Sequence, residues 1–287
     1  MKENLVSYIL LAVSLIIPAI FITMLFNIVI GSIPAITQIG AGLLDSQAEW
    51  WPVANTPSFG ILPMVIGTLF VSFLAVAMAA PIGLLCAVFL NFYVDKRLSK
   101  LITAFIDMLA GVPSVVFGFI GMIVVVGNFE RIFNMSAGDS VLAAAIVLAV
   151  MLLPYIVSSY SESIEIAKNK YGALALALGT PKEYSVMKII IPTTKRSAAA
   201  AITAAYGRAV GETMAVLMII GNAPIFPRLL GRGQTIPALT VTEFGSAAIG
   251  SLHLSAIFAA NLILIMLLCL IFIIAHFLKR GFIHNED

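Results

Sequence analysis

The residues with chemistry to offer are the few ionisable ones set inside apolar sequence. Tyr206-Gly207-Arg208-Ala209-Val210-Gly211-Glu212-Thr213-Met214-Ala215 carries a guanidinium and a carboxylate four positions apart. On a helix that spacing places both on one face, where they can pair. An Arg near a bilayer centre costs at least about 2.5–3.5 kcal/mol on insertion scales, so it faces a partner or a water-filled cavity rather than lipid. From this chemistry alone two uses stay open: a salt bridge that locks two helices, or a substrate path. Gly207 and Gly211 form a G-x-x-x-G that admits a second backbone closely. Ser114 follows the Val112-Pro113 break and can turn its hydroxyl and freed backbone groups to a cavity, and Thr213 can do the same. Asp107 is expected at a helix end, near an interface at Leu101, in preference to a pathway.

Other chemistries find no support. An intramembrane enzyme needs paired aspartates, Ser with His, or a zinc motif, and Asp107 has no second Asp within an apolar run. His253, His276 and His284 lack ligand spacing, so no metal is expected. Cys86 and Cys269 lie in separate apolar runs and are read as packing residues. A membrane scaffold or sensor that moves nothing is the remaining different class, and it would have no need of the charged pair.

These residues must be positioned by membrane helices. The chain is 61% hydrophobic and 10% charged over 287 residues, a balance that fits lipid rather than water as the solvent. Its net charge of +2 is uninformative, because placement of Lys and Arg matters more than their sum. Crossing the hydrocarbon core takes about 20 mainly apolar residues. Six stretches qualify: Tyr8–Ile30, Ile61–Asn91, Leu101–Gly127, Val141–Tyr160, Ser197–Gly221 and Leu254–Leu278. The first follows Lys2 but is too long for a signal core and has no convincing cleavage site, so it is read as an uncleaved span. The expected fold is therefore all-α and polytopic. Residues 1–60 form the first helix and an external loop, 61–280 the core, and 281–287 a tail.

Lys96, Arg97 and Lys100 mark the second inter-span segment as inward, and Lys168, Lys170, Lys182, Lys188, Lys195 and Arg196 mark the fourth. Lys279 and Arg280 follow the last span, whereas the first loop holds Asp45 and Glu49 without a cation. Both termini are then expected in the cytoplasm. Trp50 and Trp51 suit either the outer interface or packing in an external loop.

The inward segment 161–196 reads as two short helices meeting at a corner. Gly179 can take the left-handed conformation that ends the first helix. Thr180 can cap the second, with Pro181 at its first position and Glu183 completing a capping box, and Pro192 stops it. Ala173, Ala175 and Ala177 give a small-residue ridge for a partner's groove; an amphipathic loop lying on the membrane is the alternative.

Tyr171-Gly172-Ala173-Leu174-Ala175-Leu176-Ala177-Leu178-Gly179 followed by Ile189-Ile190-Ile191-Pro192 resembles the cytoplasmic coupling loop of ABC importer permeases. It departs in having Ala173 where that family usually has Glu, and Ile191 before the proline. Gly207 to Val216 running on to Gly221-Asn222-Ala223, Leu109 to Gly118, and Glu243-Phe244-Gly245 with Gly250, His253 and Ser255 resemble the PstC-type permeases of phosphate-specific importers. The similarity extends over about residues 60–280. Met214-Ala215 after Gly-Glu-Thr favours this group over the sister PstA-type; a permease for another oxyanion is the further alternative.

The resemblance implies a MetI-like type I importer fold in a prokaryotic inner membrane. It implies a pathway shared with a PstA-type permease, a dimer of PstB-type ATPases and an external PstS-type phosphate-binding protein, with no nucleic acid. Arg208, Glu212, Thr213 and Ser114 would then line the pathway, Gly207, Gly211 and Pro113 would serve packing, and Ala173, Ala175, Gly179, Thr180 and Pro181 would form the coupling loop. No phosphate-binding G-x-x-x-x-G-K-[ST] loop occurs in the chain, so ATP and Mg are expected on the ATPase subunit and no cofactor here. Guanidinium offers forked donors to phosphate oxygens and stays charged. Glu212 would compete for Arg208 and so keep the anion's hold loose.

Overall fold

The computed structural model describes residues 2–281, with side chains described for 11 and 13–273. Expectations resting on Lys2, His276, Lys279, Arg280, His284 and the tail beyond Gly281 lie outside the described side chains. In chain order the elements are α1 (Lys2–Gln38), a 3-10 turn (Gly40–Leu44), β1 (Trp50–Trp51), β2 (Ser58–Phe59), α2 (Leu62–Phe92), α3 (Lys96–Ala110), α4 (Ser114–Gly121), a π turn (Met122–Val126) and α5 (Gly127–Ile132). There follow α6 (Val141–Ala177), α7 (Lys182–Ser185), a π turn (Val186–Ile190), α8 (Ile191–Val210), α9 (Met214–Leu217), α10 (Ile236–Glu243) and α11 (Leu252–Gly281). Among the described residues the regular structure is helical apart from one small hairpin, which pairs Trp50 with Phe59 and Trp51 with Ser58.

Among the described residues five helices are long and apolar enough to cross a membrane: Val13–Gln38, Leu62–Phe92, Ser114–Ile132, Val141–Ala177 and Leu252–Ile273. The expected fifth span, Ser197–Gly221, is bounded differently. Its helix is α8, which begins earlier, carries Thr193, Thr194, Lys195, Arg196 and Arg208, and ends at Val210. That polarity keeps it out of the lipid-compatible set. The expected third span is also split. Gly111, Val112 and Pro113 separate α3 from α4, because proline removes a donor and holds the preceding residue away from helical geometry.

Two compact units divide the chain: residues 1–62 with 239–266, and residues 63–238 with 267–287. In the first, α1 and α11 meet through Gly31, where an added Cβ would lie 2.5 Å from the Phe258 ring. Ser255 Oγ donates to Gly31 O at 2.7 Å and accepts the Ala35 N–H at 2.9 Å. The hydroxyl thus serves backbone groups beside Pro34, whose missing N–H loosens α1. The hairpin closes over the start of α11: Trp50 is buried, with its ring 5.7 Å from that of His253, and His253 Nε2 lies 3.1 Å from Glu243 Oε2. Trp50 is therefore a packing residue, and exposed Trp51 donates Nε1–H to Glu49 at 2.6 Å.

The second unit is built around α6. Leu148, Leu152 and Ile156 are fully buried against Val71, Ala75 and Ala79 of α2 and Ala205 and Ala209 of α8. Small residues let these helices approach closely, which is how apolar helices gain packing energy when lipid tails offer equal hydrophobicity. At Gly83 an added Cβ would come within 2.8 Å of Ile156. Ser140 starts α6 by accepting the Ala143 N–H at 3.2 Å.

Candidate functional site

Helix α8 ends at Gly211, whose N–H reaches Gly207 O at 3.4 Å, and the chain runs non-helically through Glu212 and Thr213 before α9. The Arg208–Glu212 pair expected of a continuous helix is therefore not formed among the described ion pairs. Glu212 turns forward instead: its half-buried carboxylate accepts the Ala215 N–H at 3.3 Å and so caps α9. Competition between Glu212 and phosphate for Arg208 has no standing contact here. Arg208 is exposed, with its guanidinium carbon 5.8 Å from the Tyr155 ring centre, a cation–π arrangement. Thr213 Oγ1 donates to Gly211 O at 3.3 Å. Of the two glycines, Gly207 makes the close approach, since an added Cβ would lie 2.5 Å from the Phe272 ring, while Gly211 meets nothing but carbonyls of its own chain.

The second break adjoins the first. Pro113, at φ −57° and ψ 139°, leads into α4, and half-buried Ser114 is its first residue. An added Cβ at Gly118 of α4 would meet Met218 Sδ at 2.9 Å and Ala215 Cα at 3.1 Å. Two unwound stretches therefore flank packed helices, and irregular backbone at membrane depth persists where it is buried in protein or lines a cavity. Asp107 lies near a helix end, as expected, but not the end beside Leu101. It stands near the C-terminal end of α3, away from Leu101, and accepts a hydrogen bond from Ser158 Oγ at 2.9 Å. Tyr155 and Ser158, both on α6, were missed in the sequence. Their signal was available as two polar positions three apart within an apolar run.

The elbow also differs from expectation. Helix α6 runs unbroken to Ala177, and Gly179 turns the chain at φ +67°. Thr180 does not cap α7; its hydroxyl donates back to Ala175 O at 2.7 Å, and Pro181 takes the cap position of α7 without a side-chain bond. A proline offers no cap acceptor, and Thr180 finds a free carbonyl at the end of α6. Pro192 does not stop the helix. A π turn over Val186–Ile190 precedes it and α8 begins at Ile191, so the proline falls in a first turn, where its missing N–H is tolerated.

Of the alanine ridge, Ala173 and Ala177 are exposed and Ala175 is not. Ala175 is buried, and the outward surface is formed by Leu174, Leu176 and Leu178 at 60–75% exposure, with Tyr184 and Met187. Ala173, Gly179 and Pro181 are exposed beside them. Lys168 Nζ donates to Asn91 O at 2.7 Å, and Lys182 Nζ lies 5.2 Å over the Tyr93 ring. Both cations sit at the C-terminal end of α2, where its dipole favours them. They bring the second and fourth inter-span segments together, as their shared basic character implied.

A multi-pass helical protein with charged groups at unwound helix ends and an apolar elbow outside its packed core has the build of a membrane permease. Comparison with known proteins sharpens this: residues 79–282 match the family described as binding-protein-dependent transport system inner membrane component, and the chain belongs to that family. It is 31% identical over 268 residues to the phosphate transport system permease protein PstC of Mesorhizobium japonicum, covering 86% of this chain and 81% of that one. It is 28% identical over 235 residues to the probable ABC transporter permease protein YqgH of Bacillus subtilis, covering 82% and 76%. Among solved structures it resembles the MetNI methionine ABC transporter in an inward-facing conformation, with TM-score 0.61 at 17% identity over 77% of this chain and 95% of that one. The fold is thus of the MetI kind. The chain is a permease subunit of an ABC importer in the inner membrane, and it works with a separate ATPase and a binding protein.

Proposed function

We propose that this chain is the PstC-type permease of a phosphate importer. It forms the translocation pathway with a PstA-type permease, driven by PstB-type ATPases and supplied by a PstS-type binding protein. The observation that carries the reading is Arg208: an exposed guanidinium held against Tyr155 beside the unwound 211–213 backbone, in a chain 31% identical to a phosphate permease. A permanently charged, forked donor suits phosphate oxygens. Ser114 and Thr213 stand at the two helix breaks and add hydroxyls to the pathway, while Gly207 and Pro113 fix the helices that carry them.

The elbow within 161–196 docks on the ATPase in the cytoplasm, and both termini lie on that same side, following the Lys and Arg placement. ATP and Mg act on that partner, and this chain holds no cofactor. Phosphate uptake by the co-purified complex in proteoliposomes tests the assignment. Arg208→Ala is expected to lower uptake by at least about thirtyfold, the scale of truncating a charged contact. Sulfate or molybdate displacing phosphate as the transported anion would overturn the cargo.

A further inference from the structure

The Asp107 carboxylate has no role in the site described above. It stands one turn before the C-terminal end of α3, where the helix dipole disfavours an anion. None of the residues of α3 is buried, so packing does not account for it either. Its described hydrogen bond comes from Ser158, at 2.9 Å, which fixes the carboxylate against α6. Ser158 lies three residues after Tyr155, the ring that holds Arg208. Positions three apart on a helix set their Cβ atoms about 5–6 Å from each other. Tyr155 and Ser158 of α6 thus contact a donor-only guanidinium from α8 and an acceptor-only carboxylate from α3, both exposed. Exposed charges of either sign face water or protein, not lipid.

Building on the phosphate reading, we propose that Asp107, positioned by Ser158, is the residue that selects phosphate over fully deprotonated oxyanions in the pathway. Inorganic phosphate keeps a P–OH through the neutral range, and sulfate and molybdate carry no such proton. With its other oxygens toward Arg208, phosphate donates that O–H to Asp107. A deprotonated oxyanion instead presses a bare oxygen on the carboxylate, acceptor against acceptor. A site that pairs a substrate hydroxyl discriminates strongly against an analogue without one, and a mismatched charge adds rejection. Glu212 does not compete for this role, because its carboxylate is turned to the Ala215 N–H and half-buried.

The test is 31P line broadening of inorganic phosphate by the complete importer complex in nanodiscs, with the binding protein left out and the rivals added. Arsenate keeps an O–H and serves as the proton-bearing competitor; sulfate is the bare one. In the wild-type complex arsenate relieves the broadening, and sulfate is at least about tenfold weaker, the size of one hydrogen bond to a charged group. Asp107→Asn brings the two competitors within about threefold, Asp107→Glu restores the gap, and Ser158→Ala leaves it intermediate. Co-purification of the ATPase with each variant confirms assembly. An unchanged arsenate-to-sulfate ratio in assembled Asp107→Asn, with broadening lost in Arg208→Ala, overturns the selector and spares the phosphate site. Broadening that survives Arg208→Ala overturns both.

Discussion

A glycine interrupts a helix both at Gly211 and at Gly179, and the two interruptions work by opposite means. Gly211 stays right-handed at φ −86°, and the residues on either side are packed: Ala209, Val210, Ala215 and Val216 are all buried. What emerges between these walls is polar, namely Arg208, Glu212 and Thr213. Gly179 is left-handed at φ +67°, a conformation that costs a side-chain-bearing residue but not glycine. What emerges there is apolar, namely Leu174, Leu176 and Leu178. The first region holds few groups rigidly and presents charge. The second presents area, which suits a surface that another protein covers. Pathway function should accordingly depend on the kind of charge, and elbow function on apolar bulk.

The largest effect expected from this contrast is at Arg208. Arg208→Lys keeps the charge and loses the planar fork and its stacking on Tyr155, so uptake should fall at least about tenfold while the complex still co-purifies. Full uptake with lysine would reduce the site to a point charge and weaken the argument from geometry. Next comes the elbow. The double variant Leu176→Asp with Leu178→Asp removes two large apolar contacts, each worth about 1.5–3 kcal/mol when covered. Recovery of the ATPase subunit on the tagged permease should drop more than about tenfold, and detergent-extracted permease alone should unfold at an unchanged temperature, because both side chains are exposed in the chain itself. ATPase recovery at the wild-type level would remove the leucines from the interface.

A smaller effect is expected at Gly207. Gly207→Ala puts a methyl 2.5 Å from the Phe272 ring, a distance that forces the ring to move. Overpacking of this kind costs about 1–3 kcal/mol, so the thermal unfolding temperature of the purified chain should fall. Gly211→Ala meets only the Arg208 and Gly207 carbonyls at 3.8 Å, an ordinary contact, and should change it less. Equal shifts at the two glycines would say that the helix break, not the contact with Phe272, is what the G-x-x-x-G pattern preserves.

Much of the scaffold was legible in the sequence because lipid imposes a coarse rule: long apolar runs become helices. The boundaries of α2 and of the start of α6 follow that rule. The errors fall where a local competition decides. A continuous helix would set Glu212 beside Arg208, but the glycine between them lets the carboxylate satisfy a nearer N–H. The spacing offers Thr180 to the helix ahead of it, but the carbonyl behind it is the one left open. Pro192 has the character of a stop, but a π turn ahead of it puts the proline in a tolerant position. Asp107 does belong to a helix end, but to the C-terminal end of α3 that the Gly111–Pro113 break creates, not to the start near Leu101. In each case the sequence named the right residue, and its partner depended on backbone geometry a residue or two away.

The smallest expected effect separates the two things Glu212 can do. Glu212→Gln keeps a carbonyl oxygen able to accept the Ala215 N–H and removes the charge; Glu212→Ala removes both. If the cap over α9 is what the structure shows it to be, alanine should destabilise the chain relative to glutamine by about 0.5–2 kcal/mol, the range for losing a helix cap. Glutamine itself should unfold close to the wild type. The 3.3 Å contact is long for a strong bond, which places the expected value at the lower end. Indistinguishable unfolding of glutamine and alanine would mean that α9 is held by the buried Ala215 and Val216 alone. The carboxylate would then be free to serve the pathway, and the rigid, charge-presenting character assigned to this break would rest on Arg208 and Thr213 without it.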